Sequence, residues 1–197
     1  MASEAIVEEF QAIGVSLNSD WLAGIEVVHD GPLTNDIVYQ ALAVSDLRES
    51  CTVSQNHPLS LLAESGASRF PDGAFLFQMT AVQDISIPNA QRPRMVTSSK
   101  RIFEMVLDYG DLSFRAIENE PITVISDIPD AGLKVIISGS PDIVEGVVFL
   151  GPNNIHIVGG DVCELVRNQK LDIEMRVKSR DVLEACHVVP LREIQNR

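Results

Sequence analysis

Apolar residues along this chain keep two different rhythms. Through the first third they recur every three or four positions: Ile6, Phe10 and Ile13, then Trp21, Leu22 and Ile25, then Ile37, Val38, Leu42 and Leu47. That spacing lays an apolar stripe along each of three short helices, a small bundle. Ser3, Ser19 and Thr34 stand where N-caps are needed. Gly14 ends the first helix, Asp30-Gly31-Pro32 ends the second, and the third is expected over Asn35 to Leu47. Trp21 reads as a core anchor of this bundle, and Asp46 with Arg48 as a local charge or capping pair at its last helix end.

Residues Arg48 to Gly73 are mixed, and turn residues gather at Pro71-Asp72-Gly73. From there the rhythm changes to two. Ala74 to Ile85 reads as a long strand with Phe75, Phe77 and Met79 on one face. Arg101 to Tyr109 is a second strand, with Phe103, Met105 and Leu107 inward and Glu104 and Asp108 outward; Gly110-Asp111 turns it into a third, Leu112 to Ile117. After a connector at Pro121 to Ile128, Lys134 opens a pair of apolar strands that reach Leu150. Pro152 marks a corner, and Gly159-Gly160 a stop.

Gly139 and Gly146 fall where a curling sheet needs little side-chain bulk. Asp161 is placed to cap a following helix that runs to about Lys178, its late bases forming a solvated face. Five strands with a connector before the fourth predict an α+β protein: a three-helix bundle (1–69) on a five-stranded OB-fold barrel (70–160), followed by a C-terminal helix and tail (161–197). The tail from Leu183 carries Val188, Val189, Leu191 and Ile194 and is not placed by its pattern.

One stretch of the barrel region lacks apolar rhythm. IPNAQRPRMVTSSK, between the first two strands, holds Arg92, Arg94 and Lys100, with Arg101 at its edge. At about 3.3 Å per residue, a loop of this length doubling back projects on the order of 20 Å. It is either a solvated hairpin connection or an arm that enters a partner.

Charge sharpens the choice of partner. The formal net charge is −13, and residues 1–69 hold ten acids against two bases, residues 70–160 eleven against six, residues 161–197 seven against seven. Such a surface repels polyanions over its first two thirds. A single-strand-binding OB protein would need a basic groove and exposed aromatics for base stacking. Here aromatics are 5% of the chain and alternate inward. A protein-binding module is the better reading, with weak or no direct nucleic-acid binding.

Catalytic patterns are missing. There is no G-x-x-x-x-G-K-S/T, G-x-S-x-G, H-E-x-x-H or strand-borne G-x-G-x-x-G. His29, His57, His156 and His187 lie in unrelated segments, His156 pointing out of a strand. Glu8-Glu9 and Glu118/Glu120 read as solvated faces and turn ends. Cys51, Cys163 and Cys186 are odd in number and widely spaced, which suits reduced thiols in a cytosolic or nuclear setting and matches no metal template. No apolar run approaches the roughly 20 residues of a membrane span, and MASEAIVEEF lacks the basic and apolar regions of a secretory signal, so an intracellular protein is expected. No enzyme, cofactor or metal is predicted.

Several segments, in order, carry a family resemblance: Trp21-Leu22 followed by NDIVYQALAVSDLRES; AFLFQMTAVQDIS; PRMVTSSKRIFEMVLDYGDLSFRAIE; IPDAGLKVIISG; and GVVFLGPNNIHIVGGDVCELV. Over roughly residues 20 to 166 the chain resembles the N-terminal region of the RecQ-mediated genome instability protein 1 family, whose sister module opens Tudor domain-containing protein 3. NDI and SGSPDIVEG lean to the Tudor branch and GPNNI to the other. Gly151 stands where many members carry a lysine before the Pro-x-Asn corner, and the loop is shorter than in vertebrate genome instability members.

The resemblance implies a non-catalytic OB-fold scaffold that binds topoisomerase III, reaching toward its DNA gate with the loop Ile87 to Arg101. It also implies a RecQ (Bloom-type) helicase as partner, a role in double Holliday junction dissolution and homologous recombination, and a nuclear location. In the Tudor branch the partner is instead the topoisomerase III form that also acts on RNA. Carried onto this loop, the expected partner-binding residues are Arg92, Arg94, Met95, Lys100 and Arg101.

Overall fold

Local capping cuts the helical third more finely than its apolar stripes suggest. A computed structural model describes residues 2–29, 31–55, 57–86, 101–125 and 130–185. Its first third holds α1 (Ala2–Ala12), α2 (Ser19–Val28), α3 (Asn35–Val44), α4 (Leu47–Ser50) and α5 (Pro58–Ser65), five helices where three are predicted.

Ser3 lies inside the first turn of α1 rather than ahead of it. The cap of α2 is Asn18, not Ser19: its Oδ1 accepts from the Asp20 and Trp21 amides at 2.9 and 3.5 Å. An amide oxygen one residue earlier satisfies the same orphan donors. Thr34 caps α3 as predicted, accepting from the Ile37 amide. Ile13, expected inside, is 48% exposed, because α1 has already ended and the chain turns at Gly14.

Helix α3 stops three residues short of Leu47. Ser45 Oγ donates back to the Ala41 carbonyl at 2.7 Å and accepts from Trp21 Nε1 at 3.2 Å, so the turn is tied to the half-buried tryptophan. Asp46 then caps α4 by accepting from the Arg48 amide at 3.0 Å, and its carboxylate pairs with the Arg48 guanidinium at 2.5 Å. The predicted Asp46–Arg48 pair is thus the start of a helix. Helix α5 opens on Pro58, with His57 Nδ1 accepting from the Leu59 amide. At eight residues it is too short to show a period.

The strands are β1 (Ala74–Asp84), β2 (Phe103–Tyr109), β3 (Leu112–Glu118), β4 (Leu133–Ser138), β5 (Ile143–Val144), β6 (Val147–Leu150) and β7 (Ile155–Gly159). They form one mixed sheet in the order β5-β6-β3-β2-β1-β4-β7. What the pattern predicts as a fifth strand and its corner is one strand bent at 151–154. Its first half, β6, runs parallel to β3, and its second half, β7, runs antiparallel to β4. The two sides of the sheet are therefore carried by neighbouring residues, and the sheet curls into the half-barrel of an OB-fold.

Asn154 holds the bend, accepting from the Gly151 amide and donating to the Ser138 carbonyl, both at 3.1 Å. A bulge between Met79 and Ala81 adds curvature to β1. The short β5 is an addition to the predicted set. It pairs with β6 across Glu145-Gly146, both with positive φ (50° and 77°), as a tight primed turn requires. Gly146 therefore serves backbone conformation rather than bulk, since nothing lies within 4 Å of a Cβ placed there.

Phe77, Met79, Met105, Leu107, Val135 and Ile137 fill the interior and are fully buried. Phe70, from the segment joining helices to sheet, meets Phe75, Phe77 and Phe114 edge-on at 5.7, 6.0 and 6.3 Å. This apolar cluster continues unbroken from Phe10 of α1 to Ile155 of β7.

Helix α6 (Cys163–Ala185) begins later and runs further than predicted. The Val162 carbonyl accepts the first helical bond, from the Val166 amide, so Val162 takes the position expected for Asp161. Arg176 and Lys178 pair with Asp172 and Glu174 one turn back, on a solvated face. The tail beyond Ala185 lies outside the described residues.

Where the chain leaves β7 it passes against α3. Gly160 has φ of 76°, and a Cβ on it would run into the Ala43 carbonyl. Gly159 also has positive φ but faces open space. Gly160→Ala should therefore lose at least about 2 kcal/mol in urea unfolding, against about 1 kcal/mol for Gly159→Ala. Equal losses would show that backbone conformation alone, and not the approach to α3, requires the glycine.

Candidate protein-binding site

The arm between β1 and β2 leaves and re-enters the sheet through a stapled foot. Beyond the register pair Asp84–Phe103, the Ile85 amide donates to the Ile102 carbonyl at 2.8 Å. Asp84 Oδ1 accepts from the Ser86 amide, the Ser86 hydroxyl and the Ile102 amide at 2.9, 2.7 and 3.3 Å. One carboxylate oxygen thus ties both ends of the arm together. Arg92, Arg94, Met95 and Lys100 lie outside the described residues.

Arg101 is within them, and it faces the barrel. Its Nη2 donates to the Ile122 and Ile125 carbonyls at 3.0 and 2.8 Å, and its guanidinium carbon sits 4.6 Å from the centre of the Phe103 ring. Glu118 completes the joint from the other side, its two oxygens accepting from the Phe103 amide at 3.0 Å and the Ile122 amide at 2.5 Å. Far from being a solvated turn end, Glu118 is buried. A carboxylate closing two backbone donors and a guanidinium closing two carbonyls leave the polar groups here satisfied. The joint fastens the arm's foot to the residues after β3, whose Ile122 and Ile125 are fully buried.

The aromatic side chains of the barrel are turned away from solvent. Phe70, Phe75, Phe77, Phe103, Tyr109 and Phe114 are buried, and Phe149 is half-buried. Tyr39, the exposed aromatic, lies against Phe10 at 4.5 Å. On the outer face of β2, Glu104 is bonded to Arg115 and Gln83. The exposed Arg115 guanidinium on this face is thus held by a carboxylate. Among the described residues, no set of three or more His, Cys, Asp or Glu is placed to hold a metal ion. Cys51 and Cys163 are free thiols, and burial pushes that of Cys51 up to about 12.

A second polar cluster, which the alternating pattern conceals, joins the helices to the barrel. Gln78 of β1 stands between Asp108 of β2 and Lys134 of β4 in the sheet register, and all three point outward from the barrel. Helix α4 covers them, so an outward position is not a wet one: Gln78, Asp108 and Lys134 are all buried. Gln78 Oε1 accepts from Lys134 Nζ at 2.9 Å and from the Leu47 amide at 3.0 Å, while its Nε2 donates to Asp46 Oδ1 at 2.9 Å. Lys134 Nζ also donates to the Gly132 carbonyl at 2.9 Å.

Burial pulls the Lys134 ammonium down to about 8, against the opposing pull of Asp46, Cys51 and Asp161. Burial would raise the Asp46 carboxyl, but bonds from Arg48 and Gln78 outweigh it and hold the group below its ordinary value. A lysine inside the apolar run Leu133 to Ile137 was the sequence signal for this cluster.

The sign of the Lys134 effect follows from linkage. Below about pH 8 the amine is protonated folded and unfolded, and the full burial penalty stands; between about 8 and 10.5 only the unfolded chain holds the proton, so stability from this group rises with pH. The stability of the native chain relative to Lys134→Met should increase by on the order of 2 kcal/mol between pH 7.5 and 10.5, by urea unfolding. A pH-independent difference would place Lys134 in a wetter setting.

Residues 18–172 match the family model described as RMI1, N-terminal OB-fold domain. The match takes in helices α2 to α5, the whole sheet and the start of α6. With most of the chain matched and the curled sheet in place, this protein belongs to the RMI1 family through its N-terminal OB-fold domain, a non-catalytic adaptor module.

Proposed function

We propose that this domain is the topoisomerase-binding scaffold of a complex with topoisomerase III and a RecQ-type helicase, acting in the nucleus in double Holliday junction dissolution. The barrel is the docking body and the arm 87–101 the probe that reaches toward the DNA gate and tunes how long it stays open. The observation that carries this reading is the arm's foot. A long, base-rich loop is held at both ends by Asp84, and through Arg101 and Glu118 it is fastened to the residues after β3. A loop serving only as a solvated connection has no need of that joint. In this arrangement Arg101 orients the arm, and Arg92, Arg94 and Lys100 supply charge to acidic partner groups or gated DNA, with Met95 adapting to an apolar pocket.

Single-strand binding is the weaker alternative, since the described aromatics are buried or packed and the net charge is −13.

Deleting residues 89–98 should leave the unfolding transition of the domain unchanged and weaken binding to purified topoisomerase III by at least about tenfold, the scale of losing two or three buried contacts at an interface. Unchanged affinity and unchanged decatenation would remove the arm from the account. Running the same titration against the alpha and beta forms assigns the branch. Salt-sensitive binding to an oligothymidine at moderate ionic strength would favour the nucleic-acid reading instead.

A further inference from the structure

The helical end of the molecule carries a surface that the barrel and arm do not use. Helices α1 and α2, with Leu17 between them, line a groove of about 430 Å³. Its floor is Val7, Leu17 and Leu22, the last two buried, and its rims are Glu4 and Glu8 on α1 and Glu26 on α2. The spacing explains the shape. Glu4 and Glu8 lie one turn apart, and Ser19, Leu22, Ala23 and Glu26 fall at i, i+3, i+4 and i+7, so each helix turns one face, with its carboxylates, to the groove.

The apolar strip continues beyond the groove. Val27 sits one turn after Ala23, and Val27 and Val28 are each 87% exposed. A solvated valine at position 27, one turn past Ala23 at the end of a ten-residue helix, extends the apolar surface of the groove in the way of surfaces that contact another chain.

The charge around it is one-sided. The first 47 residues hold eight Asp and Glu and no Lys or Arg, and Glu8 on one rim and Glu26 on the other are both exposed. An apolar floor between acidic edges is complementary to a helix with an apolar stripe flanked by bases. We propose that the α1–α2 groove is a docking site for a cationic amphipathic helix of a partner protein. This goes beyond the barrel-and-arm reading and does not depend on it.

The test uses the whole chain and a labelled sixteen-residue helical peptide, Leu at the i, i+3, i+4, i+7 positions and Lys elsewhere, with a Glu-for-Lys peptide beside it. The Lys peptide should bind and the Glu peptide should not, with amide shifts gathered on residues 4–8 and 17–28. Glu8→Lys with Glu26→Lys should weaken binding about tenfold, and Ala23→Trp should block it by filling the groove. Asp111→Lys with Glu120→Lys, the same change in net charge on exposed barrel turns, should not. Equal weakening in both double variants would reduce the effect to general attraction and overturn the proposal. Shifts confined to other surfaces, or self-association of the chain that the peptide competes away, would overturn it as well, the latter assigning the groove to a second copy. Removing residues 89–98 should leave peptide binding unchanged, which separates this outcome from failure of the arm reading.

Discussion

The Gln78 side chain is the point at which the two halves of this molecule become one. It has no solvent exposure, and its amide reaches Lys134 of the sheet, the Leu47 amide that opens α4, and the Asp46 carboxylate that caps the same helix. A neutral amide between the buried Lys134 ammonium and the half-buried Asp46 carboxylate bonds to both while keeping them apart. Burial of the ammonium with no such partner would be expensive. Once α4 is seated there, the rest of the helical region has a fixed place: Tyr109 accepts from the Ser16 amide, and the chain leaving β7 lies on α3. Apolar packing supplies the bulk of the stability, but it is indifferent to small rotations. The three-way hydrogen-bonded contact is not, and it sets how the helices sit on the barrel.

Much of this was written in the residue pattern. Alternation in Phe75, Phe77 and Met79 and in Phe103, Met105 and Leu107 locates β1 and β2 and their inner faces, because a side chain's face in a strand follows from its position alone. What the pattern hides is whatever depends on a second element. Asp108 and Gln78 alternate outward, and outward reads as wet unless something is known to lie on top; α4, at four residues, is far too short to announce itself. Glu118 is hidden for a related reason. Its neighbours mark the end of a strand, and only the return of the chain at Phe103 and Ile122 brings it two backbone donors. The break between α3 and α4 rests on Ser45 folding back on its own helix, which no stripe of apolar residues records.

The candidate site was legible as a stretch and not as an arrangement. A run of bases in a loop without rhythm marks the arm between β1 and β2. Its composition says nothing of which base the barrel holds. Arg101 is the case in point: chemically the equal of Arg92 and Arg94, it is held by two carbonyls and a ring at the foot of the arm. Proximity to Phe103 in sequence places it beside that ring, and the residues after β3 supply the rest.

The bent strand at 151–154 has an architectural corollary. Because β6 serves β3 and β7 serves β4, one covalent elbow enforces the hydrogen-bonding phase on opposite flanks of the sheet, and Asn154 freezes its angle. A residue gained or lost there would throw one flank out of step with the other. The arm, whose two ends meet at a single carboxylate, is decoupled from that phase. Evolutionary freedom in this fold is thus partitioned by topology: length can drift where the chain exits and returns through the same door, and is locked where it bridges two walls.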